Sequence, residues 1–283
     1  MYYPNLNKII RQVLQEDAYQ SDITTQLLVP KDKISRGHIQ FKEAGVICGL
    51  DIVKKVFQIL DPKVSFRTPH PDGKFVSKNT KVLFLKGKAR ALLTAERTAL
   101  NFLSHLSGIA TNTCRFTQKI KRCSTVILDT RKTTPGLRIL EKYAVRTGGG
   151  VNHRLSLKDM VFIKDNHLRL LKNNLGLSEA LKRVRQQTKK PVTLEVENIT
   201  DLKKSLKMQP DIILLDNMST EQLKKAVKLT RIVPQNKRPL LEASGGVTIA
   251  NIEKIAQTGV DRISVGALTH TFKAMNVSME LGE

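Results

Sequence analysis

Tryptophan is absent from this 283-residue chain, and aromatic residues make up only 5% of it. That leaves little material for the stacking surfaces on which single-stranded nucleic acid is usually bound. Cysteine is scarce as well. Cys48, Cys114 and Cys123 include no CxxC pair, which excludes a disulfide frame and a zinc ribbon and fits buried thiols in a reducing compartment. No apolar run is long enough to span a bilayer, and the N-terminal MYYPNLNKIIRQ lacks a signal-peptide core, so a cytoplasmic protein with no membrane partner is expected. Fingerprints of the GxSxG, P-loop and Rossmann types are missing too. Acidic residues are in deficit, 25 against 48 Lys and Arg, which gives a net charge of +23.

That surplus invites a nucleic-acid reading. The basic residues are nevertheless spread along the chain, as in Lys182 to Arg185, Lys203 to Lys207 and Lys224 to Lys228. They form no basic tail and no stripe interleaved with aromatics. Non-specific attraction of polyanions at low salt is expected from charge alone, and no specific nucleic-acid partner is expected.

The length allows one large domain or two, with a well-buried core. The first third reads as α+β. Leu6, Ile9, Ile10, Val13 and Leu14 recur at helical spacing over residues 1–20, and Gly49 to Leu60 is amphipathic. Between and after these helices, HIQFKEAG, Val64 to Arg67, PDGKFV and VLFLKGKAR read as short strands joined by turns. A long helical region starts near the N-cap candidate Thr94 and is expected to break at Ser107-Gly108. Beyond it, short apolar runs alternate with helical stretches: Val126 to Leu128, Val161 to Ile163, Val192 to Val196, Ile212 to Leu215, Pro239 to Leu241 and Ile263 to Val265. Such alternation predicts βα units and a parallel sheet. Polar or glycine residues follow each run, and function spread over many strand ends marks a barrel, whereas a doubly wound sheet concentrates it at a switch point. Six runs make the barrel incomplete. The expected architecture is an N-terminal α+β sandwich domain over residues 1–110, then an open α/β barrel over 111–270, with a tail at 271–283 that can pack back on the first domain.

The densest chemistry lies between Asp129 and His167. Arg131 and Lys132 follow one strand, His153 and Arg154 follow the glycines 148–150, and Lys164 closes another strand. Brought together, these loops would bind a substrate with several negative charges. Gly148-Gly149-Gly150 reads as a flexible loop that places His153 and Arg154. His153 has no partner at metal spacing and is better read as an anion donor. His105, His167 and His270 read as structural or supporting. Ser244-Gly245-Gly246, with Val247-Thr248-Ile249 opening a helix, can offer backbone N–H groups to a phosphate, or can be a plain turn. Glu195, Glu197 and Asp216 sit at neighbouring strand ends. They can hold Mg²⁺ or ribose hydroxyls, or simply pair with nearby cations.

In this order and spacing, ERTALNFLSHLSGIAT, DTRKTTPGLR, GGGVNHR, IKDNH, EVEN, LLDN, EASGG and SVGALTH resemble the quinolinate phosphoribosyltransferases over nearly the whole chain. The resemblance implies an N-terminal α/β domain joined to an open α/β barrel. It also implies synthesis of nicotinate mononucleotide, pyrophosphate and CO₂ from quinolinate and phosphoribosyl pyrophosphate with Mg²⁺, on the route to NAD. By resemblance Arg131, Lys132, Thr133, His153, Arg154 and Lys164 bind the substrates, and Arg97 reaches into a neighbouring subunit's site in a homodimer or higher oligomer. Glu195 and Asp216 hold ribose and metal-linked groups, with Glu195 favoured over Glu197. Ser244, Gly245, Gly246 and Gly266 take the 5′-phosphate. The catalytic set is Lys132, Lys164, Glu195 and Asp216, with Mg²⁺ held largely through substrate. One departure is visible: Tyr19 and Ser21 stand where family members often carry glycine. A relative associated with molybdenum transport shares part of the pattern, but the RKTTPG and NHR cation sets favour the quinolinate enzyme. A nucleic-acid binder without catalysis and a barrel transferase for another acceptor are the competing classes.

Overall fold

The computed structural model describes residues 5–171 and 177–282. The chain divides into two compact units. One comprises Met1–Cys114, Thr134–Gly149 and Phe272–Glu283, the other Arg115–Thr133 and Gly150–Thr271.

The first unit carries helices α1 (Leu6–Glu16), α2 (Ile23–Leu28), α3 (Leu50–Leu60), most of α4 (Ala89–Lys119) and α5 (Arg138–Thr147). Its strands are β1 (Ile34–Phe41), β2 (Gly45–Val46), β3 (Ser65–Arg67), β4 (Phe75–Val76), β5 (Lys81–Lys88) and β12 (Val277–Gly282). The order β12-β1-β5-β3 makes an antiparallel sheet, so the C-terminal strand returns to cover the edge of β1, while β2 pairs with β4. Ile52, Val53, Val56 and Phe57 of α3 are buried, as are Ile39, Phe41, Leu83 and Leu85 of the sheet. Asp22 caps α2 by accepting from the Thr25 N–H at 3.0 Å. Ahead of it Ala18 adopts a left-handed backbone, φ 44°, in the segment where the sequence departs from the family.

Two expectations fail here. Helix α4 starts at Ala89, before Thr94, and does not break at Ser107-Gly108. The Ser107 hydroxyl accepts from the Cys48 N–H at 3.0 Å and bonds the Cys48 carbonyl at 3.2 Å. A Cβ on Gly108 would lie 2.5 Å from the Lys273 carbonyl oxygen. The small residues there admit a neighbouring backbone and leave the helix unbroken. Glycines 148–150 are likewise no simple flexible loop. Gly148 is buried and caps α5, its N–H donating to the Ala144 carbonyl at 3.0 Å.

The second unit holds β6 (Val126–Leu128), β7 (Val161–Ile163), β8 (Val192–Val196), β9 (Ile212–Asp216), β10 (Leu240–Ser244) and β11 (Arg262–Ser264). Helices α6 (Asp165–Leu171), α7 (Leu177–Gln187), α8 (Ile199–Lys207), α9 (Thr220–Arg231), α10 (Ile252–Ala256) and α11 (Ala267–His270) alternate with them. All pairings are parallel, and the sheet order is β6-β11-β10-β9-β8-β7. The last strand lies beside the first, which is barrel connectivity. The sheet stays open where β6 and β7 would meet, so the expected incomplete six-stranded barrel is what forms. Val151 runs along the free side of β6, its N–H donating to the Ile127 carbonyl at 2.8 Å. Central strand β9 is buried on both faces, as a parallel sheet favours: Ile212, Ile213, Leu214 and Leu215 are each at most 4% exposed. The expected helix opening at Val247-Thr248-Ile249 is displaced. Helix α10 begins at Ile252 and spans five residues, and Ile249 is 41% exposed ahead of it.

Candidate active site

A cavity of about 770 Å³ opens at the C-terminal ends of the second unit's strands, and only residues of that unit line it. The three cation-bearing loops meet there, since Arg131, Lys132, His153, Arg154 and Lys164 all line it. So do Glu195, Asp216, Ser244, Gly245, Gly246 and Gly266. Thr133 follows this wall, its N–H donating to the Arg131 carbonyl at 3.0 Å. Arg97 is exposed on α4, in the first unit.

The sheet register explains why these side chains converge. Residues paired on neighbouring strands point to the same face. Glu195 pairs with Leu214, Leu214 with Glu242, and Glu242 with Arg262, which forms one layer across four strands. Ser244 pairs with Asp216 one layer further out. Glu195 is half-buried in this array, whereas Glu197 is exposed beyond the end of β8. The geometry therefore puts Glu195 on the cavity wall, with Lys164 Nζ 3.7 Å from its Oε2.

The loops are held by buried polar anchors. Asp129, fully buried at the end of β6, accepts from Asn152 Nδ2 at 2.6 Å and from the His153 N–H at 2.8 Å. The Thr269 hydroxyl donates to the Lys132 carbonyl at 2.7 Å. Gly266 leaves room for the Lys132 stem, which a Cβ there would meet at 3.2 Å. After β9, Asn217 takes a left-handed backbone, φ 52°, and donates through Nδ2 to Asp216 Oδ2 at 2.8 Å.

His153 lines the cavity and also makes contacts within the protein. Its Nδ1 accepts from the Arg154 N–H at 2.7 Å. That assigns the ring proton to Nε2, which faces Glu242 Oε1 at 3.2 Å. With its side chain only 8% exposed, His153 lies between its loop and β10 at the cavity wall. Glu242 is 0% exposed, flanked by His153 and, at 3.8 Å, by Arg262 Nη1, with no hydrogen-bond geometry to either. The two arginines of the wall differ from this paired set. Arg131 Nε is buried without a hydrogen-bond partner. The Arg154 guanidinium makes no hydrogen bond to a described residue and lies over the Phe162 ring, 4.5 Å from its centroid. Burial first, and then the Arg131 cation, lower the pKa of Arg154, which stays charged all the same. Crowded cations with unused donors make a preorganised anion receptor.

Sequence reasoning did not single out Asp129, Phe162, Asn217 or Glu242. Glu242 carried a signal, because it stands at a strand end two residues before Ser244, as Glu195 stands at the end of its own strand. Phe162 was hidden inside an apolar run.

No group of three or more His, Cys, Asp or Glu side chains among the described residues is placed to hold a metal ion. Mg²⁺ keeps several waters and binds through one or two carboxylates plus substrate phosphates. Glu195 and Asp216 at the cavity wall fit that mode and not a closed protein cage.

Known proteins match this chain along its length. Residues 22–107 match the family model for the N-terminal domain of quinolinate phosphoribosyl transferase, and residues 109–280 match that for its C-terminal domain. A probable nicotinate-nucleotide pyrophosphorylase [carboxylating] of Synechocystis is 42% identical over 276 residues, covering 96% of this chain and 91% of the relative. The nicotinate-nucleotide pyrophosphorylase [carboxylating] of Mycobacterium leprae is 41% identical, covering 96% and 95%. The solved structure of the Francisella tularensis nicotinate-nucleotide pyrophosphorylase superposes with a TM-score of 0.92 at 38% identity, covering 99% of this chain and 98% of that one. From the barrel connectivity, the cation-lined cavity and these matches along its length, the chain belongs to the quinolinate phosphoribosyl transferase family.

Proposed function

We propose that the cavity transfers the phosphoribosyl group of phosphoribosyl pyrophosphate to quinolinate with decarboxylation, giving nicotinate mononucleotide, pyrophosphate and CO₂ for NAD synthesis. The names of the curated relatives support this reaction, and the chain spans almost their full length. The observation that carries it is the pair of arginines, Arg131 and Arg154, lining one cavity, with the Arg154 guanidinium lying over the Phe162 ring and making no hydrogen bond to a described residue. Quinolinate brings two carboxylates, and the co-substrate adds a 5′-phosphate and a pyrophosphate. The anion surplus matches the cation surplus of the wall.

Arg131 and Arg154 bind the acceptor's carboxylates, and the loop Ser244-Gly245-Gly246 with Gly266 takes the 5′-phosphate. Gly245 and Gly246 have φ values of 89° and 59° and line the cavity. Glu195 and Asp216 accept from the ribose hydroxyls. When bound, Mg²⁺ supplies positive charge to the pyrophosphate oxygens, with Glu195 and Asp216 as the protein's available ligands. Lys132 and Lys164 add fixed charge where the leaving group develops its own. The bond from the anomeric carbon to pyrophosphate breaks as the pyridine nitrogen forms its bond to that carbon. In the resulting pyridinium, the carbon–carboxylate bond next to nitrogen breaks, its electron pair stays on the ring carbon, stabilised by the adjacent positive nitrogen, and takes up a solvent proton as CO₂ leaves.

The test is pyrophosphate release by the purified chain with each acid in turn. Quinolinate should support turnover with one CO₂ per pyrophosphate, and nicotinate should not. Equal turnover of nicotinate refutes the reading. Cys48, Cys114 and Cys123 are free thiols, which supports the cytoplasm as its location, and no described helix is long and apolar enough to cross a membrane.

A homodimer with a shared site is part of the proposal. Ile23, Leu27 and Leu28 of α2 are 70%, 79% and 76% exposed, an apolar face on the unit that also exposes Arg97. If Arg97 completes a partner's cavity, inactive Arg97→Ala and Lys164→Ala chains regain activity when mixed. Random subunit exchange leaves about a quarter of the sites intact. Mixed dimers that stay inactive refute the sharing.

A further inference from the structure

We propose that Phe162 is a positioning residue for acceptor binding, because its ring holds Arg154 on the cavity wall while leaving the guanidinium donors free for the acceptor. The inference rests on the quinolinate reading above.

An arginine that must bind a carboxylate has to be oriented before the substrate arrives. The common way is a second carboxylate from the protein, joined by one or two N–H···O bonds. That would occupy the donors the substrate needs and cancel the charge it seeks. Arg154 is arranged otherwise. Asp159 is near enough to attract it, but no hydrogen bond joins the two. The guanidinium carbon lies 4.5 Å from the centroid of the Phe162 ring. An aromatic face is negative and attracts a cation without taking an N–H donor. Lys164 uses the same ring, with Nζ 5.3 Å from the centroid, inside the roughly 6 Å range of the interaction. One ring thus sets the places of two cations that come from different loops.

The ring also counters a repulsion. The Arg131 cation is close enough to Arg154 to help lower its pKa. Without an attractive surface behind it, the Arg154 head would move toward solvent. Phe162 itself is half-buried in the middle of β7, paired with the buried Thr193 of β8. Its backbone is fixed by the sheet, so the platform is rigid. It lines the cavity but offers no polar atom to any reacting group. It acts chiefly through Arg154, the nearer of the two cations, and its effect should therefore fall on acceptor affinity.

Steady-state kinetics of the whole chain test this with Phe162→Leu and Phe162→Tyr. Leucine keeps an apolar side chain in the strand and removes the ring, while tyrosine keeps the ring. Wild-type protein must first release pyrophosphate in a quinolinate-dependent way. If it does not, the functional reading fails and this inference falls with it. Given that activity, Phe162→Leu should raise the KM for quinolinate about 3- to 30-fold, the range that cation–π contacts allow. The KM for phosphoribosyl pyrophosphate should move much less, and kcat should change little. Phe162→Tyr should recover most of the lost affinity. A KM for quinolinate that moves less than twofold in Phe162→Leu overturns the proposal. So does an equal rise for both substrates, a fall confined to kcat, or a Phe162→Tyr variant no better than Phe162→Leu.

Discussion

Gly245 and Gly246 are adjacent, exposed and both left-handed, yet alanine should be tolerated very differently at the two. At Gly246 a Cβ would meet nothing within 4 Å. The cost of Gly246→Ala is then the left-handed strain alone, about 1–2 kcal/mol. A smaller unfolded ensemble offsets roughly 0.4–1 kcal/mol of it, which leaves a net loss of about 0.5–1 kcal/mol. At Gly245 the same Cβ would stand 2.1 Å from Asn217 Oδ1 and 2.9 Å from the Asn217 backbone nitrogen. Asn217 cannot easily move away. Its N–H donates to the Ser244 carbonyl at 2.9 Å and its side chain to Asp216 at 2.8 Å. Overpacking adds about 1–3 kcal/mol, so Gly245→Ala should cost roughly 2–4 kcal/mol in total. Asn217 would carry the Asp216 carboxylate with it, and a displacement of about 1 Å at such a group is worth up to ~100-fold in rate. Chemical denaturation reads the first effect, and KM for phosphoribosyl pyrophosphate with kcat reads the second. Equal losses at the two glycines, or a larger loss at Gly246, refute the close-contact reasoning.

Other expectations follow from the same geometry. Lys132→Ala should keep its fold, because the side chain is exposed, and should lose about 10²-fold or more in turnover; near-normal turnover in a folded variant contradicts its placement. Glu195→Gln should lower activity far more than Glu197→Gln, since only Glu195 lines the cavity, and equal effects in parallel assays count against the assignment. Asp22→Ala should cost about 1 kcal/mol of stability near neutral pH as a lost helix cap. The Thr25 N–H holds the Asp22 pKa below its usual value, so that stability is present above about pH 4 and is lost as pH falls through the lowered folded value. A gap between wild type and variant that persists unchanged into strong acid contradicts this sign.

The barrel was legible because its strands are short, rich in aliphatic residues and punctuated by polar residues or glycine. Val126 to Leu128, Val161 to Ile163 and Val192 to Val196 were read at the bounds the structure shows. Where a strand ends in polar residues that still face inward, the reading stopped early. The run Pro239 to Leu241 misses that β10 continues through Glu242 and Ala243 to Ser244. Helix α5 was not read at all. Its apolar positions Leu140, Ala144 and Val145 are buried, but Glu141 and Lys142 are buried with them, at 0% and 3% exposure. Two of its five buried positions are thus charged, so the buried face is not a continuous apolar stripe. Glu141 is inside because it pairs with His105 Nε2 at 2.9 Å and accepts the Thr134 N–H at 3.1 Å. Those partners lie 36 and 7 positions away, and no window on the sequence contains the first.

The same limit separates the cations from what orients them. Arg131, Lys132, Arg154 and Lys164 were legible because a long cation between Gly, Pro and Thr at a strand end has few structural uses. Their supports are ordinary by residue type. A phenylalanine in a strand reads as core, and an aspartate after a strand reads as a turn former. Only the pairing of strands shows that Phe162 faces two cations and that Asp129 holds the backbone of His153. The distinction has a physical basis. Groups that meet the substrate must carry charge, which composition displays. Groups that orient them must leave that charge unneutralised, so an aromatic face or a carboxylate bonded to backbone N–H groups serves where a salt bridge would defeat the purpose. Arg154, held by a ring and a backbone contact, keeps its donors; Arg262, set opposite the buried Glu242 at 3.8 Å, has its charge matched within the protein. Of the two, the first is built to bind an incoming anion and the second to compensate a buried one.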